Sequence, residues 1–328
     1  MRLVPGYVHR AGIHCGSTAM RNVIRFLGED YPEEVLFGLG EGLSFIYVEN
    51  QGVPPYITIH GRPLDLEEVL ARRLGLTFEQ DLAENGEDAW DFSRRSLDTG
   101  NPVLINTDIR FLDYFSSGTH FSGHRVVLAG YGPDGVAYIS DSEFPAPMEI
   151  PVSSLKVARE SAIPPFAVPH CSAVITGTPV MPGKEGFVQA AVNCSKKMLF
   201  PEDPMTGLPG MLRAILDLPG WHEKSETPDF AARFAYQVIE KRGTGGGFFR
   251  NMYTGFLISA AQRTKDFFTS GLVDDMSRIA SSWSEVASSF RELSENYDPS
   301  GFKKIAGYLA KTADLEERYH KKVLHIFT

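Results

Sequence analysis

His124-Arg125-Val126-Val127-Leu128-Ala129-Gly130-Tyr131-Gly132-Pro133-Asp134-Gly135-Val136-Ala137-Tyr138-Ile139-Ser140-Asp141 is the stretch on which the fold turns. Two apolar runs flank Gly132 to Gly135, a strong turn signal, and together they predict an antiparallel hairpin. In a hairpin closed there, residues whose numbers sum to about 267 face each other. Asp141 then falls near Val126, two residues from His124. Before the hairpin, Asn101-Pro102-Val103-Leu104-Ile105-Asn106 reads as a buried strand following a turn. After it, residues 148–151 and 171–176 read as further strands, with a short helix at 152–159 between them.

Toward the N-terminus the period changes. Ala19, Met20, Val23, Ile24 and Leu27 form an apolar stripe at helical spacing, and Gly28 suits the C-terminal cap, so a helix is predicted to start near Cys15. Residues 37–48 read as a glycine-rich loop feeding a strand, and 64–74 and 89–97 as short amphipathic helices. Beyond Thr178-Pro179-Val180-Met181-Pro182-Gly183 the strand signals stop. Thr227-Pro228 is an N-cap with proline at the first helical position. Phe230, Ala231, Phe234, Ala235, Val238 and Ile239 give that helix its apolar face, and Gly243 ends it. Further helices are predicted at 248–268, 272–293 and 301–326. The fold class is therefore α+β: an antiparallel-sheet domain at 1–180 followed by an all-α domain at 181–328.

The chain has 328 residues, 43% hydrophobic and 22% charged, the profile of a soluble globular protein of two domains. A formal charge of −9 argues against nucleic-acid binding. The first residues lack a continuous apolar segment, which argues against a secretory signal, and no run approaches the roughly 18 apolar residues of a membrane span. Cys15, Cys171 and Cys194 are odd in number and not paired at close spacing, so neither a disulfide framework nor a metal site is expected. A cytoplasmic setting is expected.

The chemistry is read from a cysteine at a helix start, a histidine opening a strand and an aspartate ending the paired strand. A helix N-terminus and a nearby imidazole favour the thiolate. A strand holds the base rigid, and a carboxylate on its other nitrogen fixes tautomer and orientation. Cys15, His124 and Asp141 are thus the candidate nucleophile, base and orienter. His120 competes with His124 as base but lies in a Ser/Gly-rich loop. His14 either shapes the Cys15 pocket or caps the helix locally. Asp108 either lines the site or ends a strand. Cys171 and Cys194 lack comparable settings and read as core thiols, and Trp90, Trp221 and Trp283 as core or interface aromatics. Gly243 to Gly247 lacks the Lys-Ser/Thr of a phosphate loop and follows a helix, so it reads as an interhelical connection. The helix start after it makes Arg250 a candidate for holding an anionic group of a substrate.

His14-Cys15-Gly16-Ser17-Thr18-Ala19-Met20-Arg21-Asn22 resembles the opening motif of the butirosin biosynthesis protein H family. So do Phe37-Gly38-Leu39-Gly40-Glu41-Gly42-Leu43-Ser44-Phe45, residues 102–114 and residues 123–131. Gly243-Thr244-Gly245-Gly246-Gly247-Phe248-Phe249-Arg250-Asn251-Met252-Tyr253 is similar to the helical domain that often follows, and Tyr253 joins Arg250 as a candidate substrate contact. The resemblance implies a papain-like fold related to the double-glycine peptidases. It also implies acyl transfer through a Cys15 thioester, as in the namesake, from a carrier-protein thioester to an aminoglycoside amine. An activated acyl donor (an acyl carrier protein among them) and an amine acceptor are the implied partners, with no cofactor. Where papain-like enzymes place an oxyanion-binding glutamine six residues before the cysteine, this chain has His9. An amidase or peptidase using the same residues, and a silent binding module, are the alternatives. The helical half offers a surface for a homodimer.

Overall fold

The computed structural model describes residues 2–50 and 52–328. The chain divides into two compact units, one of Met1–Glu33 with Ala71–Met181 and one of Glu34–Leu70 with Pro182–Thr328. The second unit thus takes in residues 34–70, which the sequence had assigned to the first domain. Among the described residues no helix is long and apolar enough to cross a membrane.

The first unit is built on an antiparallel sheet. Among the described residues it has six strands, in spatial order Thr77–Leu82, Cys171–Thr176, Val103–Thr107, His124–Tyr131, Val136–Ser140 and Met148–Pro151. Val103–Thr107 is buried along its whole length, which is why it reads as a continuous apolar run rather than an alternating one. The hairpin forms as predicted: Val127 faces Ser140 and Leu128 faces Ile139, each pair summing to 267. Toward the turn the register shifts by one at a bulge between Leu128 and Gly130. Gly130 is bridged there by Leu3, and a Cβ at Gly130 would lie 2.1 Å from the Arg2 carbonyl. Only glycine admits the N-terminal segment so closely.

Helix Cys15–Phe26 packs on strand His124–Tyr131. Met20, Val23 and Ile24 are fully buried, and each contributes about 1.5–3 kcal/mol by leaving water. This docking brings the helix start to the end of the sheet where His124 begins its strand. The edge strand Thr77–Leu82 was not predicted, because its successive residues Glu79 and Gln80 both face solvent and hide its period.

The second unit holds a two-stranded ribbon, Ile46–Glu49 with Ile57–His60, among helices. Residues 37–39, expected in a loop, instead complete helix Glu33–Leu39. The helix expected at 248–268 is divided into Arg250–Ala261 and Asp266–Thr269, where the polar run Gln262-Arg263-Thr264-Lys265 interrupts it. Leu272–Glu295 and Gly301–Phe327 are long, pack on each other and bury Trp283 and Tyr319. Trp221 is likewise fully buried, while Trp90 is half-buried in the first unit against Tyr131.

Candidate active site

Cys15 is the first residue of its helix and is half-buried. His14 is the N-cap, in extended conformation, and its Nδ1 accepts the Ser17 amide at 3.2 Å. A peptide N–H only donates, so the imidazole proton of His14 lies on Nε2, and Nε2 is 3.8 Å from Cys15 Sγ. The two readings of His14 are therefore one arrangement, in which capping the helix aims a ring N–H at the sulfur. The first-turn amides of Cys15 and Gly16 have no carbonyl to meet within the helix.

His124 Nε2 is 2.8 Å from Asp141 Oδ2, with Asp141 fully buried. Asp141 also accepts the Glu143 amide at 3.2 Å and the Tyr114 hydroxyl at 3.1 Å. Burial alone would push its carboxyl up, but His124, the Glu143 amide and Tyr114 hold it below the usual carboxylate value. Cys15 is also among the groups that favour a charged His124, and with Nε2 on Asp141 the ring nitrogen left over is Nδ1.

The charges settle accordingly. Burial disfavours a Cys15 thiolate, yet attraction to His14 and to His124 outweighs it, holding the thiol well below its ordinary value. Burial disfavours a charged His124, but Asp141 and Cys15 together raise its pKa well above the ordinary imidazole value. An arrangement of this kind can ionise the sulfur and keep a proton on the ring beside it.

Aromatic side chains wall the pair. Phe115 meets the His124 ring edge-on at 5.5 Å between centroids, and Phe144 packs against both Phe115 and Tyr114. Tyr114 and Phe115 were not singled out from the sequence. Their only signal was their place in and beside the 102–114 stretch, with nothing to say they would fold over His124.

Other candidates fall elsewhere. His120 Nδ1 is held at 2.7 Å by Asp108 Oδ2, so this histidine serves its own loop while His124 takes Asp141. Asp108, fully buried, also accepts from the Phe121 and Arg110 amides and the Ser161 hydroxyl, which makes it the organiser of that loop. His9 donates from Nε2 to the Phe144 carbonyl at 2.8 Å and accepts the Ser140 hydroxyl on Nδ1 at 2.7 Å. With both nitrogens engaged, His9 is a bracket around Asp141 rather than an oxyanion donor.

Arg250 and Tyr253 do not reach solvent. Arg250 Nε is 2.7 Å from Glu316 Oε1, and its Nη1 donates to the Phe248 carbonyl. Burial would raise the Glu316 carboxyl, but Arg250, His320 and Trp283 bring it down to about 2. Arg250 is thus spent on a core ion pair, and Tyr253 packs beside Phe256. The glycine run closes on itself, with the Gly246 amide on Thr244 Oγ1 and the Gly247 amide on Glu240 Oε1.

Comparison with known families finds two matches along the chain. Residues 14–142 match butirosin biosynthesis protein H, N-terminal, a span containing Cys15, His124 and Asp141. Residues 153–323 match a domain of unknown function (DUF4872), which covers about half of the chain. No curated protein matches it. With these two matches in this order, the chain belongs to the butirosin biosynthesis protein H family.

Proposed function

We propose that this protein is an acyltransferase of papain-like design that works through a thioester on Cys15. It takes the acyl group from an activated donor, such as a carrier-protein thioester, and passes it to an amine. Family membership by itself suggests a biosynthetic enzyme. The observation that carries the finer reading is the buried His124–Asp141 pair at 2.8 Å, whose imidazole favours the thiolate of a cysteine at a helix start.

The Cys15 thiolate attacks the donor carbonyl, and the oxyanion is received by the Cys15 amide and the Nε2–H of His14. As the tetrahedral adduct collapses, the carbon–sulfur bond to the donor breaks and His124 Nδ1–H protonates the departing thiolate. The acyl group is then held on Cys15, and His124 is neutral. An amine attacks the thioester, gives its proton to Nδ1, and collapse releases the amide and restores the thiolate–imidazolium pair. Asp141 stabilises the imidazolium throughout without itself taking the proton.

The test is intact-mass analysis after incubation with simple acyl thioesters, followed by addition of amines. The expected result is one acyl adduct per chain, mapped to Cys15 and discharged as amide. His124→Ala loses the adduct and His120→Ala keeps it. Adduct formation followed only by free acid assigns the same residues to hydrolysis. No adduct at Cys15 under any donor, with the thiol unreactive, leaves a binding module.

A further inference from the structure

Cys15 and the His124–Asp141 pair lie on separate stretches of chain, and residues 9–14 tie them together. On one side His9 holds Ser140 and Phe144, and the Gly12 amide donates to the Ser142 carbonyl at 3.1 Å, so the contacts bracket Asp141. On the other side the same segment is fastened to the helix it feeds. Arg21 Nη2 donates to the carbonyls of Arg10 and Ala11 at 2.8 and 2.7 Å, and Asn22 Nδ2 to that of Arg10 at 3.0 Å.

Glu33 joins the end of this segment to the first turns of the helix. Its carboxylate, 4% exposed, accepts the Ile13 amide at 3.0 Å and the His14 amide at 2.9 Å. It also accepts the hydroxyls of Ser17 at 2.8 Å and Thr18 at 3.0 Å, and pairs with Arg21 Nη1 at 3.2 Å. Gly12 makes room for it, since a Cβ there would lie 2.5 Å from Glu33 Oε2 and 2.0 Å from Thr18 Oγ1. A buried charge is costly unless fully paired, and this one takes donors from residues on both sides of Cys15. By charge alone a carboxylate near a thiolate opposes ionisation, so its value to this site lies in geometry.

We propose that Glu33 is a positioning residue, whose carboxylate locks residues 13–18 so that the Cys15 sulfur meets His124. The proposal rests on the catalytic reading of Cys15 and names a residue that reading does not use.

The experiment compares pH profiles of Cys15 alkylation by iodoacetamide, read by peptide mapping, with thermal melts of the full chain. Glu33→Gln removes the charge, and Glu33→Asp keeps it but shortens the reach. Both are expected to carry the profile to higher pH, and on its acid limb, well below the midpoint, the thiolate falls roughly tenfold when the midpoint rises by one. Ser17→Ala combined with Thr18→Val loosens the same carboxylate without removing it, and a smaller upward movement is expected. That keeps the question answerable if the Glu33 variants fail to fold. A profile moved to lower pH in Glu33→Gln, or lowered melts with unmoved profiles, overturns the proposal while Cys15 remains reactive in the wild type. A wild-type Cys15 no more reactive than in the unfolded chain overturns the catalytic reading and this one with it.

Discussion

Cys15 and Cys194 are chemically the same group removed from bulk water, and their surroundings drive them in opposite directions. Cys194 is fully buried in helix Lys184–Leu199, its thiol donating to the Leu43 carbonyl at 3.7 Å. Burial, reinforced by the Glu41 carboxylate, pushes its pKa up to about 12. Cys15 meets the same opposition from burial, but two imidazoles and a helix N-terminus overcome it. The difference teaches that desolvation sets the penalty for a thiolate, and neighbours decide whether it is overcome.

The largest expected effect follows directly. With its pKa near 12, about 10⁻⁵ of Cys194 is thiolate at pH 7, whereas the neighbours of Cys15 shift its equilibrium toward the thiolate. Brief alkylation of the native protein at pH 7 should label Cys15 alone, with Cys194 and the buried Cys171 reacting only on unfolding. Cys15 has a depressed pKa, so its ionised form contributes fully above the ordinary thiol value and is lost as pH falls through its folded value. His124 has a raised pKa, so its charge contributes fully below about 6.5 and is lost as pH rises through its folded value. The alkylation rate should therefore fall on the acid side, at a lower pH than for an ordinary thiol. Early labelling of Cys194 or Cys171 in peptide maps would remove the contrast.

Asp141 tests the side of the comparison that Cys194 lacks. Asp141→Asn can turn its NH₂ toward His124 Nε2, favouring the wrong tautomer and withdrawing the charge that sustains the imidazolium. Single-turnover acylation of Cys15 should fall by roughly 10³–10⁴-fold. The melt should drop by about 1–3 kcal/mol, because a buried acceptor set is disturbed. Lowered stability with normal acylation would make Asp141 a structural anchor for Glu143 and Tyr114.

How far the sequence could be read depends on whether the deciding interactions are local. The hairpin was legible because Gly132 to Gly135 and the flanking apolar runs specify it among themselves. Its bulge was not, since Gly130 is there to admit Leu3 from the far N-terminus. The placement of Cys15, His124 and Asp141 could be read because each sits at the end of an element, where helix dipole and strand pairing say what a side chain can do. Glu33, Tyr114 and the bracketing role of His9 depend on loops meeting across the chain, and no local pattern announces them. Arg250 misled for the same reason: its position at a helix start suggested anion binding, while its carboxylate, Glu316, lies in the distant C-terminal helix. The 34–70 segment likewise carries no local sign that it clusters with the helical unit.

The smallest expected effect concerns Tyr114, whose hydroxyl shares Asp141 Oδ2 with His124. Tyr114→Phe keeps the ring against Phe144 and removes only that donor. Asp141 then retains His124 and the Glu143 amide, so its charge and main orientation survive. The carboxylate, less dispersed by donors, attracts the imidazolium more strongly, and the Cys15 thiolate is favoured or unchanged. Alkylation at pH 7 should therefore hold steady. Acylation, which also needs His124 to release its proton and to keep one orientation, should slow less than about tenfold, the equivalent of one modest hydrogen bond. The melt should fall by about 1 kcal/mol. Measuring both rates on one preparation separates these roles, because alkylation reads the thiolate alone and acylation reads the whole triad. If Tyr114→Phe acylates as slowly as Asp141→Asn, the tyrosine hydroxyl rather than the carboxylate alone is what holds His124 toward the sulfur.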